Sequence, residues 1–197
     1  MEIYNRARQF SNKKGFTIVE LLVSISIIII LLLVAVVNYR TGRQRLALER
    51  SAYKLAQDIR RVQEMAMAAE ECTPPPESCP EEGGVPNGGY GIYFEQITPE
   101  SYIIYADSGS LPEQYRYNGQ VGEEETMETI DLEKEVEIQS VTPLKASVNF
   151  IPPDPIVDLK DDAGFPHENI TIIIRLKADP SKTKTIKVNE AGLIEIE

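Results

Sequence analysis

Residues 16–37 form one apolar run carrying a single charge, Glu20, and the apolar spacing then changes twice along the chain. About 20 apolar residues in helical form span the roughly 30 Å hydrocarbon core of a bilayer. The run therefore predicts a membrane-spanning helix. Beyond it, Leu48, Ala52, Leu55, Ile59, Val62, Ala66 and Ala69 recur at steps of four and three, with Glu49, Arg50, Lys54, Asp58, Arg61 and Glu64 between them. This is the stripe of an amphipathic helix that packs on another element. Such a short heptad-like stretch followed by strand-rich sequence favours packing on the chain's own sheet over a free coiled coil. No proline falls within residues 16–73, so one helix is expected across both segments, ended by Pro74, Pro75 and Pro76. Gly42 is its weakest point, at about 1 kcal/mol relative to Ala, and a bend or local melting is expected there.

From Gly83 onward the pattern shifts to short β-rich runs bounded by Gly, Pro and Asn, at 90–97, 101–107, 128–138, 147–151, 170–178, 183–189 and 193–197. Ile170, Ile172, Ile174 and Leu176 alternate with Thr171, Ile173, Arg175 and Lys177, which gives one apolar face suited to cover the helix stripe. The turn sequences Asp179-Pro180-Ser181-Lys182 and Asn189-Glu190-Ala191-Gly192 make the last three strands a meander. The expected fold class is α+β, a long N-terminal helix with a transmembrane first half, packed on a C-terminal antiparallel β-sheet domain. At 197 residues the chain holds one compact domain plus an appendage.

Charge sharpens this division. Arg6, Arg8, Lys13 and Lys14 against Glu2 give the first fifteen residues +3, so the remainder of a chain of net charge -11 carries -14. An acidic body repels phosphate backbones and anionic membranes at long range, and binding either requires a local basic patch. Lys177, Lys182, Lys184 and Lys187 form a modest one, partly cancelled by Glu190, Glu195 and Glu197. By the positive-inside rule the leading basic residues hold the N-terminus in the cytoplasm, against the opposing pull of Arg40, Arg43 and Arg45. The basic, then apolar order is that of a secretory signal, but the run exceeds a typical signal core and no A-x-A-like site follows, so it stays in the mature protein.

Cys72 and Cys79 lie seven apart in a proline-rich stretch. In an oxidising compartment a disulfide closes this loop; the alternative is two free thiols. No phosphate-binding loop, H-E-x-x-H or G-x-S-x-G motif is present, and His167 follows Pro166 in a loop as a surface residue. Glu123, Glu124 and Glu125, and Asp154, Asp158, Asp161 and Asp162, lack EF-hand spacing and read as solvated acidic loops. The sequence thus assigns no enzyme activity, catalytic residue, metal or cofactor.

The segment Lys13-Lys14-Gly15-Phe16-Thr17-Ile18-Val19-Glu20-Leu21-Leu22 resembles the processing motif of type IV prepilins and pseudopilins. The resemblance implies recognition of Lys13 and Lys14 by a prepilin peptidase and N-methyltransferase, cleavage between Gly15 and Phe16, and N-methylation of Phe16. It also implies that Glu20 pairs with the N-terminal amine of a neighbouring subunit during assembly. An ionisable group in a membrane segment costs about 2.5–3.5 kcal/mol on insertion scales and calls for such a partner. Pilin helices often carry a proline near the end of the apolar segment, where this chain has Val37 or Asn38.

The helix end around Arg60-Arg61-Val62-Gln63-Glu64-Met65-Ala66, then Gly89-Tyr90-Gly91-Ile92-Tyr93-Phe94, Val148-Asn149-Phe150 and a closing meander, is similar to the GspH/FimT group of minor pseudopilins. The implied organisation is a leader at 1–15, a transmembrane segment at 16–37, the soluble half of the helix at 38–71, a Pro/Gly-rich loop at 72–89 and a β-rich domain at 90–197. The implied role is a minor subunit of a type IV pilus or type II secretion pseudopilus. It is single-pass in the bacterial inner membrane with its C-terminal domain outside, and works with other pilin subunits, an assembly platform and membrane lipid. The rival readings are a major pilin, or a DNA-uptake minor pilin whose nucleic-acid contacts are Lys182, Lys184 and Lys187.

Overall fold

A computed structural model describes residues 15–72, 79, 84–107, 115–117, 125–152 and 156–197. Lys13, Lys14, Pro74, Pro75, Pro76, Glu123, Glu124 and Asp154 lie outside the described residues. The chain divides into two units, residues 1–42 and 43–197. One helix, α1 (Ile18–Met67), has its first part in the first unit and its remainder in the second, and helical structure is continuous across Gly42.

The described residues of the first unit are almost wholly apolar and exposed from Phe16 to Val34. In the second unit the helix stripe is buried as the spacing requires: Leu55, Ile59 and Val62 are at 0% exposure, with Leu48, Ala52 and Ala66 beside them. Ala69 departs from that stripe. It is exposed and lies beyond the helix. α1 ends before the prolines, in a Schellman motif: Glu70 N–H donates to Met65 C=O and Ala69 N–H to Ala66 C=O, both at 3.0 Å. Ala69 takes the left-handed position of that motif, φ 46°. A hydrogen-bonded cap thus ends the helix several residues earlier than proline sterics would.

Among the described residues nine strands follow: β1 (Gly89–Glu95), β2 (Ser101–Asp107), β3 (Thr126–Asp131), β4 (Val136–Thr142), β5 (Lys145–Ile151), β6 (Ile156–Asp161), β7 (Asn169–Leu176), β8 (Thr183–Asn189) and β9 (Ile194–Ile196). They form two antiparallel sheets, ordered β3-β2-β1-β5-β6 and β4-β7-β8-β9. The run expected at 128–138 is two strands in different sheets, because a turn closed by Val136 N–H to Glu133 C=O (2.8 Å) breaks it. β6 was not expected at all. Its Asp158, Lys160 and Asp161 mask the alternation, yet the strand pairs with β5 from Ala146↔Asp161 to Ile151↔Ile156.

The last three strands do form a meander, with Ile170, Ile172, Ile174, Ile186 and Val188 buried toward the helix. Tyr90, Ile92, Phe94, Val148 and Phe150 from the larger sheet join the same core. The architecture is α+β, a long N-terminal helix packed through its second half on antiparallel sheets.

β1 is buried on both faces. Its far face is covered by Tyr117, whose ring centroid lies 4.8 Å from Tyr93 and 5.4 Å from Tyr105. Gly91 makes this possible, since a Cβ there would collide with the Tyr105 ring. At one end of the larger sheet Lys54 Nζ donates to Asp131 C=O (3.4 Å), and Asp131 pairs with Ser101 beside the β1–β2 turn. At the other end Tyr90 Oη donates to Glu70 C=O at 2.6 Å, and Gly192 lies against Gln63.

Candidate processing and assembly site

α1 starts from a side-chain cap. Glu20 N–H donates to Thr17 Oγ1 at 3.2 Å, and Leu21 N–H to Thr17 C=O at 3.1 Å. Thr17 is therefore the N-cap and Glu20 the third helical residue, the Thr-x-x-Glu spacing of a capping box. Glu20 is the acidic residue of the first turn, where a carboxylate also meets the positive end of the helix dipole. Gly15 and Phe16 lie just outside this cap; both are exposed, Phe16 at 80%. Among the described residues nothing lies within 4 Å of where a Cβ on Gly15 would sit.

Thr17 is the helix-capping residue that sequence reasoning passed over. Its signal was legible, a Thr three residues before a Glu at the head of an apolar run.

Farther along, the two hydroxyls of the apolar run are satisfied inside the helix: Ser24 Oγ donates to Glu20 C=O (2.7 Å) and Ser26 Oγ to Leu22 C=O (2.8 Å). Hydrocarbon supplies no partners for polar groups, so internal bonds of this kind keep a span compatible with lipid. The helix is long and apolar enough to cross a membrane. Only the carboxylate of Glu20 breaks the apolar character of its surface between Ile18 and Val34.

The remaining candidates lie in the second unit. Cys72 and Cys79 are joined in a disulfide with a Cα–Cα distance of 5.5 Å. Both are buried, and Cys72 N–H donates to Gly84 C=O at 2.9 Å, so the bridge pins the segment after α1 beside the start of β1. His167 is not isolated: its Nε2 lies 3.1 Å from Asp161 Oδ2. Burial would raise the Asp161 carboxyl, but Phe165 N–H, His167 and Ala163 N–H outweigh it and hold it below the usual Asp range. Asp158 pairs with Lys160 at 3.0 Å. Among the described residues no three His, Cys, Asp or Glu side chains group as metal ligands do.

The lysine cluster is not brought together. Lys184 and Lys187 are three apart in β8 and so project from opposite faces, while Lys182 sits in the preceding turn. Lys187 Nζ is held by Glu197 at 2.8 and 2.9 Å, and that bond raises the Lys187 pKa.

The prokaryotic N-terminal methylation motif matches residues 10–36. The N-terminus is type IV pilin-like. This pilin-like segment takes in Gly15, Phe16, the Thr17 cap and Glu20, and most of the exposed apolar run. No curated protein and no solved structure matches the chain. The architecture of residues 43–197 therefore rests on its own geometry, which has the helix-on-sheet layout of a pilin-like fold.

Proposed function

We propose that the chain is a minor pilin or pseudopilin, a structural subunit that joins a type IV pilus or type II secretion pseudopilus after cleavage between Gly15 and Phe16. The observation that carries this reading is the methylation motif on a lipid-compatible helix whose first turn contains Glu20. A peptidase approaching the bond meets two exposed residues outside the N-cap, and it can cut without unravelling α1. Among the described residues glycine at position 15 answers to no contact, which is consistent with a requirement imposed by the enzyme.

After the cut the new amine on Phe16 lies one residue before the cap. In an assembled bundle, Glu20 of one subunit neutralises that methylated amine on another, and each charge loses the cost of standing alone in an apolar setting. The N-terminus is cytoplasmic, the second unit lies outside the inner membrane, and the platform and motor are separate proteins. Within the superfamily the order of elements favours the GspH/FimT group. A DNA-uptake role is less well supported, because the lysines proposed to carry it are split between two faces and one is occupied by Glu197.

Mass spectrometry of the chain matured beside a prepilin peptidase tests the proposal. The expected N-terminus is N-methylated Phe16, and Gly15→Leu should leave the leader attached; a mature chain starting elsewhere refutes the assignment.

A further inference from the structure

Opposite its buried stripe, the part of α1 that belongs to the second unit carries another line of residues. Leu46, Arg50, Tyr53, Gln57, Arg60 and Glu64 recur at steps of four and three, Met67 closes the line, and all are exposed. Residues at this spacing form one ridge along a helix. Its large apolar and aromatic members, Leu46, Tyr53 and Met67, are 43%, 61% and 56% exposed. The charges flanking the ridge are committed to the chain's own sheet: Lys54 Nζ donates to Asp131 C=O (3.4 Å), Tyr102 Oη to Asp58 (2.5 Å) and Arg61 to Glu128 (3.1 Å). Among the described residues the side chains of Arg50, Arg60 and Glu64 have no such partner.

Charge is graded along the same helix. Residues 43–61 hold six basic side chains against Glu49 and Asp58, whereas residues 62–71 hold Glu64, Glu70 and Glu71 and no basic one. The negative end of the helix dipole falls on the acidic side and adds to it. This gradient selects a second copy of the chain as occupant, in one register. Two parallel copies in line would set Arg50 against Arg50 and Glu64 against Glu64, which is repulsive. Sliding one copy by two heptads, about 21 Å at 1.5 Å per residue, sets Arg50 against Glu64 and Tyr53 against Met67. Opposite charges and apolar groups then meet together. A slide of one heptad or of three brings no opposite charges together on this ridge.

We infer that the ridge is a head-to-tail contact between copies of this chain, in which Arg50 of one copy meets Glu64 of a parallel copy displaced by two heptads. The inference deepens the proposed assembly and rests on it for the parallel orientation. The N-terminal part of each ridge serves one neighbour and the C-terminal part the next, so the contact does not close on itself and can repeat. Such a charge pair sets register and orientation more than it adds strength.

Crosslinking of the full chain, expressed beside a prepilin peptidase and an assembly platform, tests this. Copies carrying Tyr53→Cys and copies carrying Met67→Cys, with different tags, are treated with a short bismaleimide. Both substitutions keep every charge, and the native cysteines are joined and buried, so only the new thiols react. The expected product is a 53–67 heterodimer, several times more abundant than 53–53 or 67–67. Arg50→Glu should lower it severalfold, and Arg50→Glu combined with Glu64→Arg should restore it. Homodimers that equal or exceed the heterodimer overturn the inference, as does a loss in Arg50→Glu that the double reversal fails to regain. Absence of the 53–67 product in filaments whose subunits begin at N-methylated Phe16 overturns it and leaves the assembly reading intact. A chain that is neither processed at Phe16 nor recovered in filaments overturns both.

Discussion

Replacing Ala69 by Gly should stabilise this protein, although it removes a methyl group and adds no contact. Ala69 occupies the left-handed position of the cap that ends α1, at φ 46°. An L-residue pays roughly 1–2 kcal/mol for that conformation, while Gly adopts it freely. Against this, Gly gives the unfolded chain extra freedom, which costs about 0.4–1 kcal/mol. Both cap hydrogen bonds are backbone bonds and survive the change. Ala69 is exposed, so no packing is lost. The net gain is about 0.5–1 kcal/mol, or roughly 1–4 °C in Tm for a unit of this size.

Ala68→Gly is the control. Ala68 N–H makes a helical bond to Glu64 C=O at 2.8 Å, and it has no positive φ, so Gly should cost about 0.5–1 kcal/mol there. Thermal and urea unfolding of the full chain in detergent, followed by circular dichroism, reads both variants. If Ala69→Gly is no more stable than the parent, or if the two substitutions shift Tm in the same direction, the Schellman assignment is wrong.

Other expectations follow from the same coordinates. Gly91→Ala drives a methyl group into the buried Tyr105 ring and should destabilise by about 1–3 kcal/mol in urea melts; an unchanged midpoint would contradict the β1–β2 register. Burial, followed by the charge of Glu70, raises the Tyr90 phenol to about 12, and burial pushes Tyr102 and Tyr105 upward as well. These phenols stay protonated in the folded state, so their stabilisation is complete below about pH 10 and is lost as pH rises toward their folded values. Ultraviolet titration should therefore show them ionising only with alkaline unfolding, and a smooth reversible titration of all nine tyrosines near pH 10 would refute the burial. Reducing Cys72–Cys79 opens a short loop, of sequence separation 7, and on loop entropy should cost about 2–3 kcal/mol, roughly 5–10 °C in Tm. A Tm insensitive to reductant would mean that the bridge does not restrain the segment.

The features legible in the sequence are those fixed by neighbours along the chain. The four-and-three spacing of Leu48 to Ala66 located the buried helix face, and Ile170 to Leu176 located the inward face of β7. The processing motif is also local, since a peptidase reads consecutive residues. What was missed depends on pairing. Asp158 and Lys160 made β6 look like a loop, because an edge strand needs only one neighbour and tolerates charge on its outward positions.

The helix end was placed too late because the sequence has proline where a stop is obvious, whereas the stop that forms uses an alanine in an unfavourable conformation. Spacing along the chain suggested one basic cluster at Lys182, Lys184 and Lys187. Strand geometry divides it, and Glu197, brought alongside by the β8–β9 pairing, occupies the lysine on its own face.

The sheet margins matter for a protein proposed to polymerise. A strand at a margin can recruit another chain through its backbone, and unchecked pairing would compete with ordered growth. Here β9 has three residues, β6 carries the Asp158–Lys160 pair and is bridged by Pro166, and the pairing of β4 with β7 and of β3 with β2 is interrupted by register shifts. Among the described residues none of the four margins offers a long, regular template. A molecule finished in this way discourages sheet-to-sheet fibres and leaves its helix as the route by which copies add one at a time.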